Sequence, residues 1–194
     1  MFNVLSRRLQ HCNKVAVNIN NAAPTQLQQI KTQLAEEMGK PVGLHTMGIP
    51  AAISTLGVIV SFAIPQLWLG YGVLAGLDQP AEHVFVWVVL IALLFAGLNG
   101  VTMFMIGKGS MRAVRLHLTL AVISLVLTAA YLLVALSGSA APGVSLTAAL
   151  VSIVMLMLSG SCILSTPFYK MLLFTLHNRA WRKLLSQTRA KTAR

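Results

Sequence analysis

Four long apolar stretches alternate with short polar segments along the chain. They cover residues 49–77, 84–106, 116–136 and 144–169, and none of them contains Asp, Glu, Lys or Arg. An α-helix rises about 1.5 Å per residue, so roughly 20 apolar residues cross a bilayer core of about 30 Å. A helix also satisfies its own backbone hydrogen bonds, which lipid cannot do. The pattern therefore predicts an all-α integral membrane protein with four transmembrane helices.

The 15 Lys and Arg residues are distributed unevenly around these predicted spans. Five precede the first span, three lie around the connection between the second and third spans, and seven follow residue 169. The connections 78–83 and 137–143 contain none. Because cytoplasmic segments of membrane proteins are enriched in Lys and Arg, we predict that both termini are cytoplasmic. The expected location is the inner (plasma) membrane of a bacterium, which the chain crosses several times.

This topology divides the chain into three regions. Residues 1–48 form a cytoplasmic N-terminal tail, residues 49–169 the four-helix transmembrane domain, and residues 170–194 a basic juxtamembrane helix and tail. The composition agrees, with 56% hydrophobic residues, 10% charged residues and a formal net charge of +11. Cys12 and Cys162 fall in different regions on a reducing side of the membrane, so we expect no disulfide.

The N-terminal tail contains two helical patterns. The first predicts a short helix on the membrane surface from apolar residues at helical spacing, namely Phe2, Leu5, Leu9 and Cys12. After a polar break, Thr25 and Gln28 have the spacing of a capping box, with Thr25 as the cap. A second helix is therefore expected over residues 25–38. The sequence Gly39-Lys40-Pro41 is expected to end it.

The second of these helices is amphipathic. Leu27, Ile30, Leu34 and Met38 form one apolar stripe, and the opposite face consists of Gln, Lys and Glu. A helix of about 14 residues is marginal by itself in water, so the stripe must be covered. The cover is either the protein's own bundle or the headgroup layer, or else a partner protein. The sequence leaves these alternatives open.

Several residues within the spans have special roles in helix packing. Pro65 predicts a kink in the first span, and Pro167 predicts a kink or break near the end of the fourth. Two polar side chains at membrane depth, Gln66 and Asn99, are expected to hydrogen-bond neighbouring helices or to line a path. Small residues allow helices to approach closely. The candidates for such helix-packing contacts, or for lining a path, are Gly72, Gly76, Gly100, Ser159, Gly160 and Ser161.

The segment that follows the fourth span predicts a juxtamembrane helix over residues 168–185. Phe168, Tyr169 and Trp181 are expected to anchor it at the membrane interface. Its contacts with anionic lipid headgroups at the cytoplasmic face, or with a partner, are predicted to involve Arg179, Trp181, Arg182 and Lys183. Nucleic acid is not an expected partner, because the basic tails carry almost no aromatic side chains for base stacking.

The chain has few groups that can perform chemistry. Its four acids are Glu36, Glu37, Asp78 and Glu82, and none lies within a span. Ion-coupled carriers usually need an ionisable group in the membrane, and a Ser-His-acid site needs all three groups on one face. We predict no catalytic, cofactor or metal site. The expected function is a non-enzymatic structural or assembly subunit of a larger complex, such as secretion, conjugation, respiratory or transport machinery.

Two other functions remain open. One is an oligomeric channel or uncoupled small-molecule transporter, with a path lined by Gln66, Asn99 and the Ser and Thr residues of the fourth span. The other is a membrane immunity or inhibitor protein. A polar stripe along one face of the bundle favours the channel, whereas polar residues placed among helix contacts favour the subunit. In the subunit hypothesis the partners are other membrane proteins or further copies of the chain.

Overall fold

The computed structural model describes residues 2–39, 43, 46–138 and 141–192. The predicted helix stop at Lys40 and Pro41, and the side chain of Phe2, lie outside the described residues. The described part contains no strand, and its α-helices are α1 (Phe2–Asn21), α2 (Pro24–Met38), α3 (Ile49–Ala63), α4 (Gln66–Gly76), α5 (Val84–Gly107), α6 (Met111–Leu136), α7 (Leu146–Leu164) and α8 (Thr166–Thr192). The all-helical class predicted from the sequence is therefore confirmed.

Four stretches of the described chain are long and apolar enough to cross a membrane. They are Ile49–Gly76, which combines α3 and α4, Ala81–Gly107, Met111–Leu136 and Leu146–Leu164. Many of their large apolar side chains are exposed, as a lipid-facing surface requires; Leu94 is 74% exposed. These four helices are those expected of a multi-pass membrane protein.

The first of these stretches is interrupted at Ile64 and Pro65. α3 ends at Ala63, α4 begins at Gln66, and Pro65 has helical dihedral angles. Proline has no backbone N–H and its ring displaces the preceding turn, so a break at this position is the expected effect. The predicted kink in the first span is present.

The fourth stretch ends earlier than the sequence pattern suggests. α7 stops at Leu164, whereas the uncharged run extends to Tyr169. Ser165 begins the next helix: its hydroxyl oxygen accepts a hydrogen bond from the Phe168 amide at 3.2 Å. Pro167 lies in the first turn of α8, where its missing N–H costs nothing. The sequence from Thr166 to Thr192 therefore forms a separate helix.

The chain divides into two compact units. One consists of residues 53–102 and 116–161, which contain most of the membrane-spanning helices. There the rings of Phe62 and Phe95 stack at 3.7 Å between centroids. Helices approach closely at glycine: a Cβ at Gly57 would lie 2.6 Å from the carbonyl oxygen of Met155. We refer to this part as the span unit.

The other unit contains the described parts of residues 1–52, 103–115 and 162–194. Its core is formed by α1, α2, α8 and the α5–α6 turn, and α2 packs mainly against α8. We refer to it as the tail unit. α1 is longer than predicted: it continues through the polar segment to Asn21, because Ala16 and Ile19 extend its buried face.

The predicted cap of α2 at Thr25 is wrong. The helix begins at Pro24, and Ala23 is the residue before it. The side chain of Gln26 turns back and accepts a hydrogen bond from the Ala23 amide at 3.1 Å. Proline at the first helical position is preorganised for the helix, which explains the earlier start.

Candidate functional site

Three membrane-spanning helices carry polar side chains on their inward faces, at helical spacing. These residues, which we call the polar seam, are Ser54 and Ser61 on α3, His117, Ser124 and Thr128 on α6, and Ser152 and Ser159 on α7. Each is at most 1% exposed. A polar group buried in lipid must find a hydrogen-bond partner within the protein, so the seam is where chemistry can be sought.

One part of the seam surrounds the carbonyl oxygen of Ser61. Pro65 has no N–H, so this carbonyl, four residues earlier, loses its usual helical donor. The hydroxyls of Ser152 and Thr128 lie within hydrogen-bonding distance of it, at 2.9 Å and 3.2 Å. The two hydroxyls are also 2.9 Å from each other. Each has a single proton, so only two of these three contacts are hydrogen bonds at one time.

The other part of the seam includes the histidine. Ser54 Oγ lies 2.8 Å from His117 Nε2 and 3.0 Å from Ser159 Oγ. Between the two parts, the hydroxyl of Ser124 donates to the carbonyl oxygen of Val58 at 3.4 Å. The seam therefore links α3 to α6 and α7 by hydrogen bonds at several levels.

The seam contains neutral hydroxyl groups and one imidazole. Ser54 and His117 resemble the first two members of a nucleophilic triad, but α3, α6 and α7, the helices that carry the seam, contain no acid to orient the imidazole. Both side chains are also buried, at 0% and 1% exposure. What the described groups can do in this arrangement is to hold helices together, as interhelical hydroxyl bonds do in membranes.

The two amide side chains predicted to bond neighbouring helices or to line a path make no hydrogen bond to another helix among the described residues. Gln66 is 3% exposed, and neither its oxygen nor its nitrogen has a partner among the described protein groups. Asn99 is 0% exposed and donates through Nδ2 to Phe95 of its own helix at 2.9 Å. Its Oδ1 has no partner among the described groups. Such amides are costly in a low-dielectric interior.

The glycines predicted to pack against other helices face open space. A Cβ added at Gly72, Gly76, Gly100 or Gly160 would meet nothing within 4 Å. The glycine contacts within the span unit are made elsewhere, as at Gly70, where a Cβ would lie 2.9 Å from a methyl group of Val84.

The two predicted serines of the fourth span differ. Ser159 belongs to the buried seam, whereas Ser161 is exposed. Only Ser159 therefore takes part in the described contacts between helices.

In the tail unit, basic residues predicted to contact headgroups or a partner donate hydrogen bonds to carbonyl oxygens at helix ends. Lys183 Nζ donates to the carbonyl oxygens of Ile19 and Asn20 at 2.7 Å and 2.6 Å, at the end of α1. Arg179 donates to Gly109, just after α5, at 2.8 Å. Arg182 donates to Lys108 at 3.0 Å but stays exposed. A cation at a helix C-terminus satisfies free carbonyls and the helix dipole.

The apolar stripe of α2 is covered by the chain itself. Leu27 and Leu34 are 0% and 2% exposed and belong to the core of the tail unit, where Ile30 packs partly buried. Leu27 and Leu34 therefore present almost no surface to a partner, whereas Ile30 stays partly exposed. Trp181, by contrast, is 48% exposed.

A cluster of ionisable groups lies where α1, α2 and α8 meet. The Tyr169 hydroxyl donates to Glu37, whose other oxygen lies 3.3 Å from His11 Nε2. The guanidinium of Arg8 lies 5.1 Å from the centre of the Tyr169 ring. Burial, and then the charge of Glu37, raises the pKa of the Cys12 thiol to about 12. Burial and the bond to Glu37 also raise the pKa of Tyr169.

The seam itself was missed by sequence reasoning, although two signals point to it. The polar positions of α6 are separated by 7 and 4 residues (117, 124 and 128), which places them on one helix face. The position four residues before Pro65 is Ser61, and its carbonyl must need donors from elsewhere. Periodicity of polar residues within an apolar span thus predicts an inward face.

Comparisons of the chain with known protein families, with curated proteins and with solved structures find no match.

We predict that the Ser61 carbonyl couples Thr128 to Ser152 energetically. Thr128→Val or Ser152→Ala alone leaves one donor, so each should cost about 0.6 kcal/mol, the usual value between membrane helices. The double variant leaves a buried carbonyl unsatisfied, which adds about 1–3 kcal/mol. Unfolding free energies in detergent measure this. The exposed Thr147→Val is the matched control, and additive losses would contradict the assignment.

We also predict that stability falls at alkaline pH. The folded pKa of Cys12 and of Tyr169 lies above the ordinary values of 9.0 and 10.0, so the unfolded chain releases these protons first. Stability should be complete below pH 9 and then fall by at most about 1.4 kcal/mol per pH unit for each group. Cys12→Ala and Tyr169→Phe should flatten this dependence on pH. Tyr71→Phe is the control, and equal slopes in all variants would refute the prediction.

Proposed function

We propose that the chain is a non-enzymatic structural or assembly subunit of a larger complex in a bacterial inner membrane. The observation that carries this proposal is the open glycine face of α4. Gly72 and Gly76 lie one turn apart, are exposed, and have no neighbour within 4 Å of an added Cβ. Each glycine costs a helix about 1 kcal/mol relative to alanine, and lipid gives nothing in return. A second helix that packs closely against the glycines offsets this cost through van der Waals contacts.

Glycine already has this role inside the chain. Gly57 and Gly70 sit where neighbouring groups would crowd a Cβ, at 2.6 Å and 2.9 Å. By the same logic, the open glycines of α4, together with Gly100 on α5 and Gly160 on α7, are candidates for contacts with other chains. The partners in this proposal are other membrane-protein subunits or further copies of this chain.

The polar seam is the reason why we propose a protein without enzymatic activity. Its hydroxyls bond to one another or to backbone carbonyls, and its histidine bonds to Ser54. The three helices that carry the seam, α3, α6 and α7, contain no acid that could activate such a pair. Hydroxyl and imidazole groups that already bond to one another stabilise the contacts between helices, and this role requires no substrate.

The orientation in this proposal follows from charge. Both termini and the α5–α6 turn are basic and are placed in the cytoplasm, according to the positive-inside rule. α1, α2 and α8 are then amphipathic cytoplasmic helices that fold together. Their buried faces meet in the core of the tail unit, and their polar faces remain exposed.

A channel is the second candidate, because the amide of Gln66 and the amide oxygen of Asn99 have no hydrogen-bond partner among the described groups. Buried amide groups without partners are suited to bind a passing polar solute or water. Against this, the hydroxyls of the seam lie in contacts between helices, which is the arrangement that favours the subunit. We therefore place the channel second.

The subunit proposal predicts that bulk at the glycine face removes partners. Gly72→Leu with Gly76→Leu should lower the mass of the assembly isolated in mild detergent, with loss of co-purifying chains, while the isolated protein keeps its stability. Ala129→Leu, a similar enlargement at an exposed position of α6, is the matched control. A wild-type protein that purifies alone as a monomer would contradict the proposal.

The two candidates predict opposite results for the purified protein in vesicles. A subunit without its partners should give no flux of small polar solutes above that of empty vesicles, as measured by the change in light scattering after an osmotic step. A channel should give flux that Gln66→Leu and Asn99→Leu abolish, while Ser145→Ala, at an exposed position, leaves it intact. Such flux would replace the subunit proposal with the channel.

A further inference from the structure

The exposed face of α8 differs in composition from its buried face. Trp181 and Leu185 lie one turn apart and are 48% and 39% exposed. Arg182 and Arg189 are exposed beside them, at positions that share the same side of the helix. We call these four residues the α8 outer face.

The basic residues of α8 separate into two sets. Lys183 and Arg179 are held by carbonyl oxygens of α1 and of the α5–α6 turn. Arg189 has no such bond among the described contacts, and Arg182 uses one Nη group for Lys108 and remains exposed. Arg189 and the exposed part of the Arg182 guanidinium are therefore the charges that the outer face presents to its surroundings.

We infer that the α8 outer face docks on the surface of an anionic bilayer. Tryptophan prefers the membrane interface, where its ring is partly in lipid, and arginine binds phosphate oxygens with several N–H groups. Leucine adds apolar area beside them. Aromatic and arginine side chains at this spacing therefore fit a headgroup layer of negative charge.

Charge and connectivity identify the occupant. α8 contains no Asp or Glu along its entire length, so nothing on it repels an anionic surface. The helix also begins one residue after the fourth membrane-spanning helix, so the chain tethers its first turn to the end of a span. An acidic protein would satisfy the charge too, but the chain does not itself bring one to α8, as the span brings a bilayer to its first turn.

This inference differs from the contacts expected from the sequence, and it stands independently of the proposed function. The sequence predicted contacts with lipid headgroups or with a partner for a set of four residues, namely Arg179, Trp181, Arg182 and Lys183. The structure assigns Arg179 and Lys183 to helix ends and adds Leu185 and Arg189 to the outer face.

The fluorescence of Trp181 in nanodiscs tests this inference. The full-length protein is placed in phosphatidylcholine alone and in a three-to-one mixture with phosphatidylglycerol. Spectra of the Trp181→Phe variant are subtracted to remove the emission of Trp68 and Trp87. We expect the Trp181 emission to move to shorter wavelength only in the anionic discs, and added salt to reverse the shift by screening.

Substitutions then identify the charges responsible. Arg182→Gln with Arg189→Gln should weaken docking by roughly fivefold for each arginine removed, so the shift needs more phosphatidylglycerol. Arg7→Gln with Lys14→Gln removes the same charge from exposed positions of α1 and should leave the shift unchanged. The salt reversal in the wild-type protein remains a test if the arginine variant misfolds.

Three outcomes would overturn the inference. One is the same Trp181 emission in neutral and anionic discs, which means that the face ignores lipid charge. Another is equal weakening by both double variants, which means that overall charge attracts the protein to the membrane. The third is a short-wavelength emission already present in detergent that disappears when a co-purifying protein is removed, which means that a protein covers the face.

Discussion

The carbonyl oxygen of Ser61 imposes the strongest constraint on the span unit. Pro65 removes its helical donor, and lipid contains no water that can replace it. Two other helices therefore supply hydroxyls, from Thr128 and Ser152. Because hydrogen bonds are directional, these contacts favour the faces of α6 and α7 that carry Thr128 and Ser152 turning towards α3. The close approach at Gly57 becomes possible on the same side.

In the tail unit, basic side chains satisfy carbonyl oxygens that would otherwise lack hydrogen-bond donors. Helix ends expose carbonyl oxygens without partners, and here α1 and α5 end beside α8. Lys183 and Arg179 satisfy these oxygens. In the sequence, these basic residues serve as signals of membrane topology. In the structure they have a second role, because they hold α8 against its neighbours. On the described part of α8, Arg182 and Arg189 stay exposed and can make contacts outside the chain.

The sequence was sufficient for the helical class, the four apolar stretches and the break at Pro65, because each follows from local physics. It was insufficient where the rotation of a helix about its axis decides which side chains face a neighbouring helix. Gly70 packs and Gly72 does not, although both are glycines in one apolar helix. The start of α2 was misassigned because Pro24 and the Gln26 side chain outweigh Thr25. The uses of Arg179 and Lys183 depend on helix ends that lie far away in the sequence.

The glycines of α4 lie on two different sides of the helix, and this bears on whether α4 has a partner. Gly72 lies two positions after Gly70, a step that turns the helix by about 200°, so the packed glycine and the open pair lie on different sides. Gly70 is explained by Val84, its neighbour within the chain. Gly72 and Gly76 have no such neighbour, and their cost to the helix is offset only by contacts that lipid does not supply. On the proposed function, α4 is therefore a helix with two packing faces, one within the chain and one towards another chain.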